Sequence, residues 1–311
     1  MFDMSDIVVL DEPAVQQRLR YQDLIPAIAD ALAALSSGKV VQPVRTVLPV
    51  APHHGFFAVM PAYAAGGGAL GAKLVTFYPQ NVGVHTHHAV IVMLKPETGE
   101  PLAVMDGRLI TEMRTAAASA VATQRLARAD ASVLAILGSG VQAKSHLAAL
   151  RQVRAFKEVR VWSPRHAGEF AQRHGVKAAA TAADAVRGAD VVVVAANATT
   201  PVLRGSWLSP GAHVNAIGAT RPEWRELDDD LVTTARVFVD SREAALRESG
   251  DIIASRKGSE VTEIGAVVAG VAPGRRNAEE ITLFKSVGVA VEDVTAAALV
   301  LGARSQEPGA R

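Results

Sequence analysis

The segment Val133–Ala143, reading VLAILGSGVQA, constrains the fold more than any other stretch of the chain. An apolar run of strand character breaks at Gly138, passes Ser139 and Gly140, and resumes at Val141 with helical spacing. This is the pattern of the first βα turn of a dinucleotide-binding unit. Gly138 permits the tight turn, Gly140 lets the backbone approach a pyrophosphate, and Ala143 stands in for the third glycine where helix meets strand. The helix N-terminus offers free N–H groups and a partial positive charge to phosphates. A glycine fingerprint alone is a weak signal, so its neighbourhood must carry the assignment.

That neighbourhood alternates strand and helix from about residue 114 to 288. EVRVW (158–162) precedes helical HAGEFAQRHG, and VKAAA (176–180) leads through AADAVRGA to VVVVAAN (191–197), an apolar run suited to a central parallel strand. HVNAIG (213–218) and RVFVD (236–240) are two more strands, with helical LDDDLVTTA between them. Such alternation predicts a Rossmann-type, doubly wound parallel sheet. The first 110 residues read as α+β: a helix at Tyr21–Ser36, then antiparallel strands at Val40–Val50, Gly55–Met60, Leu70–Tyr78 and Ala89–Lys95. A helix over Thr111–Ala127 links the halves, and the last helix, Val289–Ala303, comes too late to extend the sheet. The expected division is a first domain of residues 1–113 with 289–311, and a dinucleotide-binding domain of residues 114–288.

Several classes are disfavoured. A formal net charge of +1 over 311 residues gives no electrostatic footprint for nucleic acid or an anionic membrane. No run approaches the roughly 20 apolar residues that a bilayer span needs. Asp3 and Asp6 precede the first short apolar stretch, the wrong order for a secretion signal. The absence of cysteine excludes disulfides and thiolate chemistry and fits a reducing, cytoplasmic setting.

The end of the second strand of a dinucleotide unit distinguishes the two nicotinamide cofactors. An NAD site places a carboxylate there for the ribose 2′-hydroxyl. Here Trp162 is followed by Ser163, Pro164, Arg165 and His166, and no carboxylate occurs before Glu169. A hydroxyl and a guanidinium suit a 2′-phosphate, which favours NADPH with NADH possible.

Three cations of the first domain draw notice. Arg45 and Lys73 fall in apolar strand patterns, where an unpaired charge is rare, and Arg114 falls in the first turn of its helix, where the dipole disfavours a cation. They either converge on a bound carboxylate or make structural ion pairs with acids of the same domain. In VHTHHAV, His85 and His87 stand at i, i+2 on one strand face, but no third metal ligand is identifiable, and a loop entering a cofactor pocket is the better reading.

These residues sit in segments that resemble the ornithine cyclodeaminase/mu-crystallin family, closest to its ketimine reductase branch. RTVLPV (45–50), VMPAY (59–63), KLVTFYP (73–79), LAVMDG (102–107), RTAAASA (114–120), ILGSGVQA (136–143), FKEVRVW (156–162), GAHVNAIGATRPEWRELDDDL (211–231), VDSREAALRESGDI (239–252) and FKSVGVAVEDV (284–294) carry the resemblance. It implies a homodimer whose first domain binds substrate and forms the subunit interface, and whose Rossmann domain carries the cofactor. It implies catalytic and substrate-carboxylate roles for Arg45, Lys73 and Arg114, with His87 and Glu248 lining the substrate pocket. Thr86, Ser139, Val141, Gln142, Ser163, Pro164, Arg165, Ala196, Asn197, Ile217 and Ser286 match positions along the dinucleotide, together with Gly138 and Gly140. No metal is implied.

Two departures from the family pattern bear on chemistry. NADP-binding relatives carry Asn-Arg-Thr at the second strand's end, where this chain has Ser-Pro-Arg, so the arginine is shifted by one place. Cyclodeaminases carry Gly-Gly-Asp after the fifth strand, whose Asp acts as acid/base or holds the distal amine. Here the element is Gly218-Ala219-Thr220, and a hydroxyl cannot replace that carboxylate as a base at neutral pH. The expected activity is therefore NAD(P)H-dependent reduction of cyclic ketimines, Δ1-pyrroline-2-carboxylate to proline and Δ1-piperideine-2-carboxylate to pipecolate. Ornithine cyclodeamination, an alanine-dehydrogenase-type activity and a non-catalytic NADPH-binding protein are the alternatives.

Overall fold

The computed structural model describes residues 6–255 and 260–302. Asp3 and Ala303, which entered the readings above, lie outside the described residues. The chain separates into two compact units, one running to Arg114 and resuming at Val289, the other Thr115–Gly288.

The first unit opens with β1 (Val8–Leu10), α1 (Glu12–Arg18) and α2 (Tyr21–Ser36). The Asp11 carboxylate caps α1 by accepting from Ala14 N at 3.0 Å. Then come β2 (Val40–Val41), β3 (Thr46–Val50), β4 (Gly55–Ala64), β5 (Ala69–Phe77), β6 (His87–Leu94) and β7 (Pro101–Asp106), followed by α3 (Arg108–Leu126). β2 to β7 pair antiparallel, while β1 joins β7 in parallel at the sheet edge. The expected strand Val40–Val50 is two strands, both paired with β4, and Arg45 lies between them rather than within one. Pro43, which has no N–H for a ladder, occupies the gap. α3 starts at Arg108 rather than Thr111, because Asp106 Oδ1 accepts from Arg108 N and Leu109 N at 3.0 and 3.2 Å. Arg114 is thus in the second turn of its helix and not the expected first, where the dipole would disfavour a cation.

The second unit runs β8 (Val133–Leu137), α4 (Val141–Val153), β9 (Glu158–Trp162), α5 (Ala167–His174), β10 (Lys177–Ala178), α6 (Ala182–Val186), β11 (Val191–Val194) and β12 (His213–Ala216). It continues with α7 (Asp229–Thr234), β13 (Arg236–Val239), α8 (Arg242–Glu248), α9 (Gly250–Ser255), β14 (Thr262–Glu263), α10 (Ile264–Val268) and β15 (Thr282–Lys285). Among the described residues its eight strands are all parallel, in the order β10-β9-β8-β11-β12-β15-β13-β14. The four valines of β11 are all buried, as a strand covered by helices on both faces requires. The last helix, α11 (Ala290–Leu301), packs on α2, β4, β5 and β6 of the first unit. Its free N-terminal amide at Val291 is capped from a distance by Gln42 Oε1 at 2.8 Å. No described helix is long and apolar enough to cross a membrane.

Two histidines of the second unit are buried neutral. His146 Nδ1 donates to the Gln142 carbonyl at 2.8 Å, and its Nε2 lies 2.9 Å from Ser119 Oγ. His213 bridges Thr282 Oγ1 and Asn215 Oδ1 within the sheet. Burial lowers the first to about 4 and, with the Arg275 charge nearby, the second to about 3. In the unfolded chain both bind protons near the ordinary histidine value of 6.5, so their contribution to stability is complete above that pH. It is lost as pH falls toward 4. The urea midpoint is expected to drop by several tenths molar or more between pH 6.5 and 4.5, and His146→Gln is expected to flatten the profile. A midpoint constant over that range counts against this reading.

Candidate active site

Lys73 occupies the middle of β5, opposite Met60 of β4 and Ile91 of β6, on the sheet face covered by α11. An ammonium there is wholly removed from water, and α11 supplies its counter-charge. Lys73 Nζ lies 2.7 Å from Asp293 Oδ2. Arg114, on α3, donates from Nε to Asp293 Oδ1 at 3.0 Å and from Nη1 to Glu292 Oε2 at 2.7 Å. Both acids are 0% exposed, in the first turn of α11 where the helix dipole favours negative charge.

The electrostatics separate these groups sharply. Burial lowers Lys73 to about 7, against the pull of Asp293 and with the repulsion of Arg114 and Arg45. Asp293 is held below the usual carboxylate range despite its burial, because Arg114 and Lys73 flank it. His87, on the same sheet face as Lys73, is lowered to about 4 by burial and by the Lys73 and Arg114 charges, and so stays a neutral imidazole. With Lys73 protonated, the cations Arg45, Lys73 and Arg114 outnumber the two carboxyl groups of Glu292 and Asp293. A surplus of positive charge suits a monoanion, with a group that titrates near neutrality beside it.

For Lys73 and Arg114 the structure shows the second of the two alternatives. Lys73 and Arg114 do make ion pairs with acids of their own unit, and these pairs bring the two cations to one carboxylate. Asp293 and Glu292 escaped the reading of individual residues. Their signal was two adjacent acids inside the otherwise apolar VAVEDVTAAALV, a helix that has no polar face for them. His85 does not share a strand face with His87, since β6 begins at His87. Its ring meets His88 edge-on, with centroids 6.0 Å apart. Thr86 is exposed in the preceding loop, its carbonyl accepting from Tyr78 N at 2.7 Å.

In the second unit the parallel register lines up Leu137 with Trp162 and Val194, Val194 with Ala216, and Ala216 with Lys285. The residues just beyond, Gly138, Ser163, Ala195, Ile217 and Ser286, consequently form one row along the carboxyl edge of the sheet. This is where ligands bind in such sheets. Gly138 has φ +126°, and a Cβ there would overlap the Ala195 carbonyl, so glycine is required both by its backbone and by the approach of β11. Gly140, the N-cap of α4, has open space where its Cβ would be, and it caps no amide with a side chain.

The Gln142 Oε1 in the same turn is buried without a partner. Open space over Gly140, uncapped amides of a 13-residue helix and an orphaned amide oxygen fit the phosphates and ribose of a dinucleotide. Val141 is exposed in this first turn, and Ala196 and Asn197 follow β11 at half-buried and exposed positions.

Ser139 Oγ donates to Ser163 Oγ at 2.9 Å, and His166 N donates to the same oxygen at 3.1 Å. Pro164 and Arg165 are exposed, and Glu169 is turned to His166, 3.6 Å away. Ser286 donates to Asp240 Oδ2 at 2.8 Å, and that oxygen also accepts from Val287 N and Gly288 N at 2.9 and 2.6 Å. Asp240 thereby holds the turn after β15, a role not evident from the sequence. Glu248 is the last residue of α8 and is buried. Among the described residues no group of three or more His, Cys, Asp or Glu is placed to hold a metal ion.

Of the acids following Thr220 that could stand in for the cyclodeaminase carboxylate, Glu223 is exposed and the other two are engaged elsewhere. Glu226 is committed to Gly218 N and Lys285, while Asp228 caps α7 at Leu231 N and accepts from Gly205 N.

The model of the ornithine cyclodeaminase/mu-crystallin family matches residues 5–307. The ketimine reductase mu-crystallin of Mus musculus is 49% identical over 302 residues, covering 94% of this chain and 95% of that protein. A Delta(1)-pyrroline-2-carboxylate reductase of Bacillus cereus is 37% identical over 308 residues, covering 94% of each. Among solved structures, the Thermococcus litoralis Delta(1)-pyrroline-2-carboxylate reductase in complex with NADH and L-proline superposes with a TM-score of 0.91. It is 37% identical and covers 96% of this chain and 97% of that one.

Proposed function

The chain belongs to the ornithine cyclodeaminase/mu-crystallin family, and on that premise we propose that it is an NAD(P)H-dependent reductase of cyclic ketimines. Δ1-Pyrroline-2-carboxylate would give proline, and Δ1-piperideine-2-carboxylate would give pipecolate. The observation that carries this reading is the buried Lys73–Asp293–Arg114 cluster, a cationic site with one titratable donor. Arg114 and Arg45 hold the substrate carboxylate. Lys73 gives its proton to the imine nitrogen, making the carbon electrophilic. Asp293 keeps Lys73 oriented and pulls its pKa upward against burial, and neutral His87 adds a hydrogen-bonding wall without adding charge. The reduced nicotinamide, when bound by the turn 138–142, supplies the hydride.

The absence of an acid at position 220 separates this reaction from the full cyclodeaminase cycle. Oxidising the α-amine of ornithine calls for a proton acceptor, and reducing a preformed ketimine does not. The deciding assay follows NADPH oxidation with Δ1-pyrroline-2-carboxylate beside ammonia release from ornithine with NAD(P)⁺. Ketimine turnover is expected to exceed ornithine turnover by about 100-fold or more. An equal or faster ornithine rate overturns the reading.

NADPH is the preferred cofactor in this proposal. Ser163 Oγ accepts two hydrogen bonds and retains its own proton for a phosphate, and no carboxylate stands between β9 and Glu169 to repel one. A charge-assisted contact from Arg165 contributes about 1.5–3 kcal/mol, so NADPH should bind about 10- to 100-fold more tightly than NADH. Arg165→Ala should remove most of that preference. Equal dissociation constants in the unaltered protein would refute it.

The first unit takes the substrate-binding and dimerisation role, residues 1–113 with 289–311, and the second, 114–288, the cofactor. The sheet face opposite Lys73 exposes Val9, Val41, Leu48, Tyr63, Leu74 and Val90, which the register places on one side. A contiguous apolar face of this kind suits a second copy of the same chain. The protein should sediment as two copies, and Leu74→Arg should shift it to monomers. A monomeric unaltered protein at micromolar concentration would sink the proposal. A chain without cysteine suits the reducing cytoplasm.

A further inference from the structure

Beneath the turn that follows β12 lies a charged cluster that the reaction above does not use. Glu226, Lys285 and Asp251 are each 0% exposed. Lys285 Nζ is 2.6 Å from Glu226 Oε1 and 3.5 Å from Asp251 Oδ2. Both oxygens of Glu226 lie 2.9 Å from Gly218 N, and the Ala219 amide also supports the carboxylate. The backbone from which this side chain hangs is itself fixed. Asp251 Oδ1 accepts from Glu226 N at 3.0 Å and Leu227 N at 3.1 Å, while the Glu226 carbonyl accepts from Val202 N and Leu203 N at 3.0 and 3.1 Å.

We propose that Glu226 is a positioning residue: a carboxylate of fixed reach, suspended from an immobilised backbone, that sets the height of the turn Ile217–Thr220 at the cofactor edge of the sheet. The inference rests on the reading of that edge as the dinucleotide site. The reach matters because the turn has no slack on its other side. A Cβ on Gly218 would overlap the Ala196 carbonyl, so the turn is pressed between the end of β11 and the Glu226 carboxylate. The corner behind is equally tight. Gly250 N donates to the Arg221 carbonyl at 3.1 Å, and a Cβ on Gly250 would overlap the Trp224 carbonyl. Glu248 ends the helix just before this corner and is buried there.

Length and charge make opposite demands on a substitution. Burial pushes the Glu226 carboxyl upward, so its charge is costly where it stands, while its two acceptor atoms are in constant use. Glu226→Gln keeps the reach and an acceptor oxygen. Glu226→Asp keeps the charge and withdraws the carboxylate by about 1.5 Å, the length of one carbon–carbon bond. A displacement of that size in a hydride-transfer site is worth about 10²-fold in rate.

The test is single-turnover NADPH oxidation by both variants with saturating Δ1-pyrroline-2-carboxylate, beside NADPH affinity, circular dichroism and thermal melting of the same samples. The expected result is a fall of about 30- to 100-fold for Glu226→Asp in protein that is fully folded at the assay temperature. Glu226→Gln should stay within about threefold of the unaltered enzyme. The reverse order, a Gln variant that does not fold, or two variants alike within twofold would show charge balance or bulk stability instead and overturn the inference. Should Glu226→Asp fail to fold, amide exchange of the unaltered protein decides. Gly218 N–H exchanging as slowly as the β12 amides, with or without NADPH, upholds the clamp, and fast exchange removes it. An unaltered enzyme that oxidises no NADPH with any cyclic ketimine would bring down the proposed function, and this inference with it. An active enzyme with the reversed order would bring down this inference alone.

Discussion

Lys73→Met is expected to lower kcat for cyclic ketimines by about 10²–10⁴-fold while leaving the ketimine KM within about tenfold. The size follows from what the ammonium does. A neutral imine is a poor hydride acceptor, and in this site Lys73 is the group that titrates near neutrality. Burial lowers it to about 7, with Asp293 opposing and Arg114 and Arg45 reinforcing that shift. The acid form carries the reaction, so kcat should be level below pH 7 and fall tenfold per unit above it. The sign is fixed by the role, since a general base with the same pKa would give the mirror profile. Lys73→Arg separates charge from proton transfer: it should hold KM while kcat stays low, because a guanidinium cannot give up its proton at these pH values. A methionine variant with more than a tenth of the original kcat would end the general-acid assignment.

Arg114→Leu should reduce kcat/KM for ketimine by about 30- to several-thousand-fold, the loss expected when one partner of a buried charge pair is removed. NADPH affinity should change little. The structure adds a second effect that the sequence could not foresee. Arg114 holds both Glu292 and Asp293, each without exposure to water. Its removal leaves Glu292 without that guanidinium and Asp293 with Lys73 alone, at a cost of about 3–5 kcal/mol in stability. Losing its Arg114 contact should also shift Lys73, because Arg114 is one of the charges lowering it. The pH midpoint of the residual activity is therefore expected to move upward. Arg114→Lys should recover part of the stability, though not the two-pronged geometry that spans the two acids. A loss below threefold in kcat/KM with a lowered melting temperature would make Arg114 purely structural.

The dinucleotide unit was legible because its rules are local. VLAILGSGVQA announces strand, turn and helix within one short segment, and the observed β8 and α4 fall there with Gly138 at positive φ. β9 and α2 occur at the expected bounds for the same reason: period and composition change abruptly at their ends. Ser163, Ile217 and Ser286 were named through the family resemblance, and the parallel register carries all three to one edge of the sheet.

What the sequence could not determine was partnership across the chain. Lys73 and Arg114 stood out as cations in apolar surroundings, but whether they met a ligand or an acid of the protein was open. The answer came from α11, 220 residues after Lys73, whose Asp293 reaches both. Glu226, Asp240, Asp251 and Lys285 gave no sign at all, since a charged residue in a loop or at a strand end reads as a solvated one. Only the tertiary structure buries them, setting Glu226, Asp240 and Asp251 on backbone amides and Lys285 against the carboxylates of Glu226 and Asp251. Secondary structure follows from side-chain periodicity within a few turns of chain. Burial of a charge, and hence its pKa and its role, depends on which distant element closes over it.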